Sequence, residues 1–263
     1  MTPEPVYDRI GLGYADRRRP DPRIEARLRA ALGDATTVVN VGAGAGSYEP
    51  TGRPVVAVEP SAAMVAQRPA SAAPTVRGVA GALPFPDRAF DGALVVLSVH
   101  HWPDAPAGLA EVRRVTRGPV VVFTFDHAAH ARQWLVTDYL PEMTALDVDT
   151  PTPDAIAAAL GGGTVDVLPV PHDCTDGFCH AWWRRPEAYL DPGVRAAISG
   201  IARLPDAVVA RAVADLRHDL ATGAWHRRHA DLLATTEIDA GYRLVVAPGD
   251  TAGRPPYAPG DVG

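Results

Sequence analysis

Thr36-Thr-Val-Val-Asn-Val-Gly-Ala-Gly-Ala-Gly46 is the stretch that decides the fold. Its first part is mostly β-branched, which predicts a buried strand of a parallel sheet. The glycines that follow let the backbone approach a ligand closely, because they carry no Cβ atom. A second apolar run over 55–58 ends in Glu59, 17 residues after Gly42. A carboxylate there can accept hydrogen bonds from both hydroxyls of a ribose, so the two segments together predict an adenosine-type ligand.

Outward from this stretch, apolar runs alternate with helical patterns. Runs that predict strands cover 90–98, 119–125, 165–170 and 242–247, and helical spacing covers 107–116. Such alternation implies right-handed crossovers and a mainly parallel, doubly wound α/β sheet. Before the last strand, a long stretch with helical spacing predicts an insertion that covers the active site, because it is too long to be a plain loop.

The composition limits the classes of partner. The chain has 263 residues, 47% of them hydrophobic, which predicts a globular protein with a sizeable core. Its net charge of -6 disfavours nucleic acid and anionic membranes, because those partners require a basic surface. The first residues lack a basic stretch followed by an apolar run, and no 18 apolar residues occur together. We therefore expect a cytoplasmic monomer or homodimer that does not bind a membrane.

The spacing of the glycines separates two classes of cofactor. A dinucleotide-binding loop has the pattern Gly-x-Gly-x-x-Gly, but here Gly46 arrives one residue early and Ser47 takes the place of the third glycine. An NAD-dependent oxidoreductase therefore becomes the alternative interpretation.

Five elements in order carry a resemblance to a known family. They are the strand and loop over 38–46, the strand over 55–59, Leu83-Pro-Phe-Pro-Asp87, the run from Phe90-Asp91 to Ser98, and Glu111-Val-Arg-Arg-Val115. In this combination the chain resembles the class I S-adenosylmethionine (SAM)-dependent methyltransferases, particularly the branch related to the ubiquinone and menaquinone biosynthesis enzymes. The resemblance implies a seven-stranded Rossmann-like sheet whose final strand is antiparallel, with SAM as the cofactor.

The resemblance also implies a division of the chain. We expect a methyltransferase domain over 1–247, with an N-terminal lid and helix over 1–34, a SAM-binding core over 35–126 and a helical cap insertion over 172–235. The Pro- and Gly-rich tail over 248–263 is expected to be disordered.

By resemblance, the glycine loop binds the methionine part of SAM, Glu59 the ribose and residues 80–83 the adenine. Met64 packs on the adenine or, equally well, in the helix core, and Tyr14 and Arg19 fold over the cofactor or belong to a solvated basic segment. The full set of predicted cofactor residues is Tyr14, Arg19, Asn40, Gly42, Ala43, Gly44, Gly46, Glu59, Pro60, Met64, Ala80, Gly81, Leu83 and Ser98.

Two residues depart from the family pattern. Asn40 stands where the family usually has an acid, and Val79 stands where many relatives have an acidic residue beside the adenine. Asn can still form hydrogen bonds but brings no charge.

The chemistry is predicted beside the cofactor, beyond the carboxyl end of the strand over 90–98. His100 and His101 follow that strand, and either could act as a general base, because imidazole titrates near neutral pH. The alternative is that they only pack against the cofactor; His101 is the preferred base.

The stretch His172-Asp-Cys-Thr-Asp-Gly-Phe-Cys-His180 follows a predicted strand and could wall the acceptor pocket. A metal is not expected there, because the spacing of His172, Cys174, Cys179 and His180 fits no zinc pattern. Cys174 and Cys179 are expected to be free thiols. The predicted pocket residues are Tyr7, Trp102, Asp126, His127, His172, Cys174 and Phe178.

These patterns predict a SAM-dependent methyltransferase that acts on an O, N or C atom of a small molecule. The alternatives are an NAD-dependent oxidoreductase and a catalytically degenerate SAM-binding partner protein, which the departures at Asn40 and Val79 keep open.

Overall fold

A computed structural model of the protein describes residues 17–249. The predicted contacts Tyr7 and Tyr14, residues 1–16 of the predicted lid and helix, and residues 250–263 of the predicted tail lie outside this range. The strands of the described part are β1 Val38–Val41, β2 Val55–Val58, β3 Thr75–Val76, β4 Gly92–Val96, β5 Val120–Phe125, β6 Thr164–Val167, β7 Val170–Pro171, β8 Glu237–Ile238 and β9 Tyr242–Ala247.

The strands form one large sheet in the order β3-β2-β1-β4-β5-β9-β6. The first five are parallel to their neighbours, whereas β9 runs antiparallel to both β5 and β6. This confirms the predicted doubly wound sheet with an antiparallel final strand. One predicted strand is divided: the run over 165–170 is shared between β6 and β7, and β7 pairs with β8 in a separate sheet. The short edge strand β3 was not predicted.

Helices pack on both faces of the large sheet and in a separate group before β9. The α-helices within the described residues are α1 Pro22–Leu32, α2 Ala62–Ala66, α3 Ala105–Val115, α4 His127–Ala131, α5 Pro153–Ala159, α6 Pro192–Ala196, α7 Ser199–Ala202, α8 Asp206–Ala221, α9 Ala224–Arg228 and α10 Ala230–Leu233. None of them has the length and apolarity that a bilayer crossing requires.

Alternate residues of the strands supply two hydrophobic cores. In β5, Val121 and Phe123 pack with α1 on one face of the sheet, while Val120 and Val122 pack with α3 and α5 on the other. This division follows from the two-residue period of a strand. The α1 helix begins at Pro22 because the Asp21 side chain accepts a hydrogen bond from the Arg23 backbone N–H.

A third core lies among the helices that precede β9. Trp225 of α9 and Leu216 of α8 pack there against Trp134 and Tyr139, which follow α4. The predicted helical insertion before the last strand includes the first two of these residues, and its helical spacing named Leu216 but not Trp225. The segment after β5, which supplies the other two, had no predicted structure.

The Leu83–Asp87 turn is attached to α3 by the two charged residues of the Glu-x-x-Arg motif. Glu111 accepts the Leu83 backbone N–H at 2.9 Å, and Arg114 donates to the carbonyl oxygens of Leu83 and Phe85 at 3.1 and 2.9 Å. These bonds hold the 77–82 segment, which precedes the turn, at the carboxyl edge of the sheet.

Gly118 lies in the tight connection between α3 and β5, and its replacement by Ala is expected to destabilise the fold. An added Cβ would stand 1.8 Å from the Asp91 carbonyl oxygen, which is backbone and cannot turn aside. We expect Gly118→Ala to lower the free energy of unfolding by at least about 2 kcal/mol. Urea denaturation measures the loss. Gly81→Ala is the control, because nothing lies within 4 Å of its added Cβ, and similar losses in both variants would contradict the prediction.

Candidate active site

The glycine loop follows β1 in a conformation that glycine adopts readily. Gly42, Gly44 and Gly46 all have positive φ angles, of 70°, 53° and 95°. At Gly42 a Cβ would lie 2.5 Å from the Ser98 hydroxyl oxygen, so the absence of a side chain also allows the close approach of the residue after β4. The Ser98 hydroxyl donates to the Val41 carbonyl oxygen at 3.2 Å and joins the ends of β1 and β4.

The Glu59 carboxylate is held at the end of β2 by two backbone groups. Its two oxygens accept the Gly44 and Ser61 N–H groups, each at 2.8 Å, and the residue is only 5% exposed. The carboxylate is thus fixed against the glycine loop; the predicted contact of Glu59 with a ribose stays a prediction.

A cleft of about 920 Å³ opens at the carboxyl edge of β1, β2 and β4. It brings together most of the predicted cofactor residues, and two residues predicted for catalysis and the acceptor pocket also line it. The predicted residues along the cleft are Gly42, Ala43, Gly44, Glu59, Pro60, Met64, Ala80, Gly81, Ser98, His101 and Trp102. The Trp102 indole packs directly on α3 at Gly108. A Cβ added to this glycine would lie only 2.4 Å from the indole.

Asn40 and Gly46, by contrast, face a buried ion pair beneath the loop. The Asn40 side-chain amide donates to Glu49 at 3.2 Å, and Glu49 pairs with Arg68 at 2.6 Å. A Cβ at Gly46 would lie 3.3 Å from the Arg68 guanidinium. Arg68 also donates to the Gly44 carbonyl oxygen at 3.1 Å. Asn40 and Gly46 therefore face the ion pair that supports the loop from below, and neither residue lines the cleft. Leu83, a third predicted cofactor residue, is buried in the core on the α3 side.

In the basic segment 17–19, Arg18 enters the site and Arg19 is exposed. The Arg18 guanidinium forms a buried ion pair with Asp176 at 2.6 Å, and the Tyr48 hydroxyl donates to the same carboxylate at 2.9 Å. Arg18 lines the cleft, which corrects the preference for Arg19. Local sequence offered no signal for this choice, because the partner of Arg18 lies 158 residues further along the chain.

A second, smaller cavity of about 90 Å³ adjoins the cleft. Arg18 and Leu97 line both spaces and therefore form the wall between them. Leu97 has a φ of 46°, a left-handed conformation that costs a non-glycine residue about 1–3 kcal/mol. This strained residue lies at the point where β4 ends and the chain turns towards His100.

The second cavity contains three of the predicted residues and two further histidines. His100, His127 and Phe178 line it together with His180, which belongs to the stretch expected to wall the pocket, and His130, which had no predicted role. His130 lies on α4, and His180 follows Phe178. His130 does not stand at the end of a predicted strand, so the strand-end rule could not find it.

The other predicted pocket residues lie elsewhere. Asp126 caps α4 by accepting the Ala129 N–H at 3.1 Å, and His172 is exposed beside the Thr236 carbonyl oxygen. Cys174 is buried in the core, and burial raises the pKa of its thiol to about 12. Cys179, not Cys174, lines the second cavity. Across residues 17–249, no three His, Cys, Asp or Glu residues are grouped as a metal site requires.

Burial keeps His100 and His101 uncharged. It lowers the pKa of His100 to about 3, and the positive charges of Arg203 and Arg18 act in the same direction. Burial and then His100 lower the pKa of His101 well below its ordinary value. Both rings are therefore neutral near pH 7, where each offers one donor and one acceptor nitrogen.

Comparison with known proteins is consistent with this geometry. Residues 39–123 match the family model of the methyltransferase domain, and a search of curated proteins found no match. A solved structure of a candidate methyltransferase from an antibiotic biosynthesis pathway of Anabaena variabilis is 32% identical, with a TM-score of 0.83 over 88% of this chain and 98% of its own. A candidate sarcosine dimethylglycine methyltransferase from Galdieria sulphuraria shares the fold at 13% identity, with a TM-score of 0.51 over 85% of this chain and 84% of its own. The chain belongs to the class I SAM-dependent methyltransferases, and SAM is its cofactor.

Proposed function

We propose that this enzyme transfers the methyl group of SAM to a small molecule that binds in the second cavity. The observation that carries the proposal is the contact between the two spaces at Arg18 and Leu97. One space is large enough for a cofactor, since ligand pockets usually measure about 300–1,000 Å³. The other is small and has no room for a folded macromolecular acceptor. The net charge of -6 also disfavours nucleic acid.

The cleft residues fit SAM in shape and in chemistry. Gly42 and Gly44 would leave room for the methionine part, and the fixed Glu59 carboxylate would accept hydrogen bonds from the ribose hydroxyls. Met64 and Ala80 supply apolar surface for the adenine. SAM, when bound, supplies a methyl group on a positively charged sulfur.

The remaining work of the protein is to position the acceptor and to exclude water. Holding two reactants in the correct orientation can lower the activation free energy by about 7–11 kcal/mol. A ring with a pKa of about 3, such as His100, is a weak base at neutral pH. We therefore propose that His100 and His101 orient the acceptor by hydrogen bonds, and that general-base catalysis is the secondary role.

We further propose that the segment 172–235 caps the acceptor site. Phe178, His180 and Ile198 of this segment line the second cavity. The segment after β5 contributes Met143 and Asp147 to the same wall, so the proposed cap has a second part that the sequence analysis did not include.

Replacement of the Glu59 carboxylate tests the cofactor assignment. Glu59→Gln loses the negative charge and one of the two acceptor oxygens that hold the loop. We expect the Kd for S-adenosylhomocysteine to rise at least ~10-fold, since hydrogen bonds to charged groups contribute about 1.5–3 kcal/mol. Calorimetric titration measures this, with the exposed Glu187→Gln as the control. Unchanged affinity in Glu59→Gln, or binding of NAD in place of the adenosyl ligands, would show that the assignment is wrong.

The charge state of His101 predicts how cofactor binding depends on pH. SAM and S-adenosylhomocysteine differ by the positive charge on sulfur, so the ratio of their Kd values reports on positive charge in the cleft. Because burial holds the pKa of His101 well below its ordinary value, the ring does not gain a proton as the pH falls through that ordinary value. We expect the ratio to change less than about 2-fold between pH 8 and pH 5.5. Selective weakening of SAM as the pH falls through 6.5 would mean that His101 titrates normally.

Removal of the partner of Arg18 is expected to destabilise the wall between the two spaces. Asp176→Ala leaves the buried guanidinium without its carboxylate, which costs about 3–5 kcal/mol. Asp173→Ala removes an exposed partner of Arg23 and should cost less than about 1 kcal/mol. Urea denaturation compares the two variants; equal losses would indicate that the Arg18 pair contributes no more than a surface ion pair.

A further inference from the structure

Three histidines that line the second cavity each have a buried ring nitrogen without a hydrogen-bond partner among the described residues. These nitrogens are Nδ1 of His100, Nε2 of His130 and Nε2 of His180. His180 as a whole is only 2% exposed. Buried polar groups are nearly always paired, and each unpaired one costs about 1–3 kcal/mol. Because all three belong to residues that line one cavity, a guest in that cavity is the nearest source of partners for them.

Aromatic packing holds these three rings in place. Phe125 lies between His100 and His130, with ring centroids 5.0 and 4.5 Å away, and it stacks on His130 at an interplanar angle of 14°. His180 meets the edge of His130 at 4.4 Å. Phe178 and Tyr242 complete the aromatic part of the lining. The lining therefore consists largely of aromatic and imidazole rings held in fixed positions, and such a surface suits an aromatic guest.

The charges around the cavity are balanced. Arg18 pairs with Asp176, and Asp147 pairs with Arg203 through contacts of 2.9 and 2.5 Å. Burial lowers the pKa of His180 to about 3, as it does for His100, and lowers the pKa of His130 well below its ordinary value. A carboxylate or an ammonium group would bring an unbalanced charge into this space, which carries a large desolvation penalty.

We infer that the second cavity binds the hydroxyl-bearing edge of an uncharged aromatic ring, a phenol-type acceptor, through His100, His130 and His180. A hydroxyl both donates and accepts, and so does a neutral imidazole, whereas a carboxylate only accepts and an ammonium only donates. The cavity volume of about 90 Å³ is below the ~150 Å³ of a cavity that encloses benzene. It therefore admits the reacting edge of the ring, and the rest of the acceptor stays outside it.

This inference rests on the proposed function and assigns oxygen as the methylated atom. During the transfer the S–CH₃ bond breaks with its electron pair on sulfur, an O–CH₃ bond forms, and the hydroxyl proton passes through a histidine nitrogen to water. No oxidant, reductant or further co-reactant is required.

Four ring compounds of similar size test the inference: phenol, toluene, benzoate and benzylammonium. Ligand-observed NMR titrations with each compound are made on the wild-type protein, with and without saturating S-adenosylhomocysteine. We expect phenol to bind at least ~10-fold more tightly than toluene, and the two ions to bind more weakly than phenol. Toluene binding as tightly as phenol, or preferential binding of either ion, would overturn the inference.

A matched pair of variants locates the effect. His180→Phe keeps the ring but removes both nitrogens, and we expect it to weaken phenol binding at least ~10-fold while leaving toluene binding unchanged. His172→Phe, an exposed histidine outside both spaces, should change neither. Equal effects of the two variants on phenol binding would overturn the inference.

The binding of S-adenosylhomocysteine separates this inference from the proposed function. Normal cofactor binding without a preference for phenol would overturn the acceptor class alone. A preference for phenol in a protein that binds no adenosyl ligand would support the phenol site and contradict the proposed transfer. The comparison of the four compounds on the wild type decides the inference even where His180→Phe fails to fold.

Discussion

The bonds from Glu59 to the Gly44 and Ser61 N–H groups join the ends of two parallel strands at the centre of the site. β1 and β2 are paired in register from Val38 with Val55 to Val41 with Val58, so the loop that leaves β1 stands directly beside the acid that ends β2. The position of the cleft follows from this pairing. A shift of one residue between the strands would turn every side chain to the opposite face of the sheet and would separate the carboxylate from the loop.

The glycine loop is supported on the side away from the cleft as well. Arg68 donates to the Gly44 carbonyl oxygen and pairs with Glu49, which also accepts the Asn40 amide. The loop therefore lies between two carboxylates, Glu59 at the cleft and Glu49 below it. Asn is suitable at the end of β1 because an amide can donate to Glu49, whereas an acid at position 40 would place a second negative charge beside it. The departure from the family pattern at Asn40 thus has a local electrostatic reason.

How much of the site the sequence could predict depended on how its residues are brought together. The glycine loop, Glu59 and Ser98 come directly after predicted strands, and parallel strands place their carboxyl ends at one edge, so short-range patterns were sufficient. Arg18, Tyr48 and Asp176 meet across separations of 128 and 158 residues, and His130 and His180 meet only when α4 packs beside the chain near Phe178. No local period encodes such contacts. Asn40 was misplaced for a different reason: the strand end was predicted correctly, but the direction of its side chain depended on the Glu49–Arg68 pair.

The two spaces also share an electrostatic requirement. The cleft must accept a sulfonium, and a protonated histidine at position 100 or 101 would repel it. Burial removes that repulsion, because it keeps both imidazoles neutral through the physiological pH range. The same burial leaves the His100, His130 and His180 nitrogens dependent on a partner. Low pKa values and unpaired nitrogens are therefore two results of one arrangement. It is compatible with the cofactor's positive charge, and under our proposal the acceptor is recognised by hydrogen bonds and aromatic packing, without help from charge.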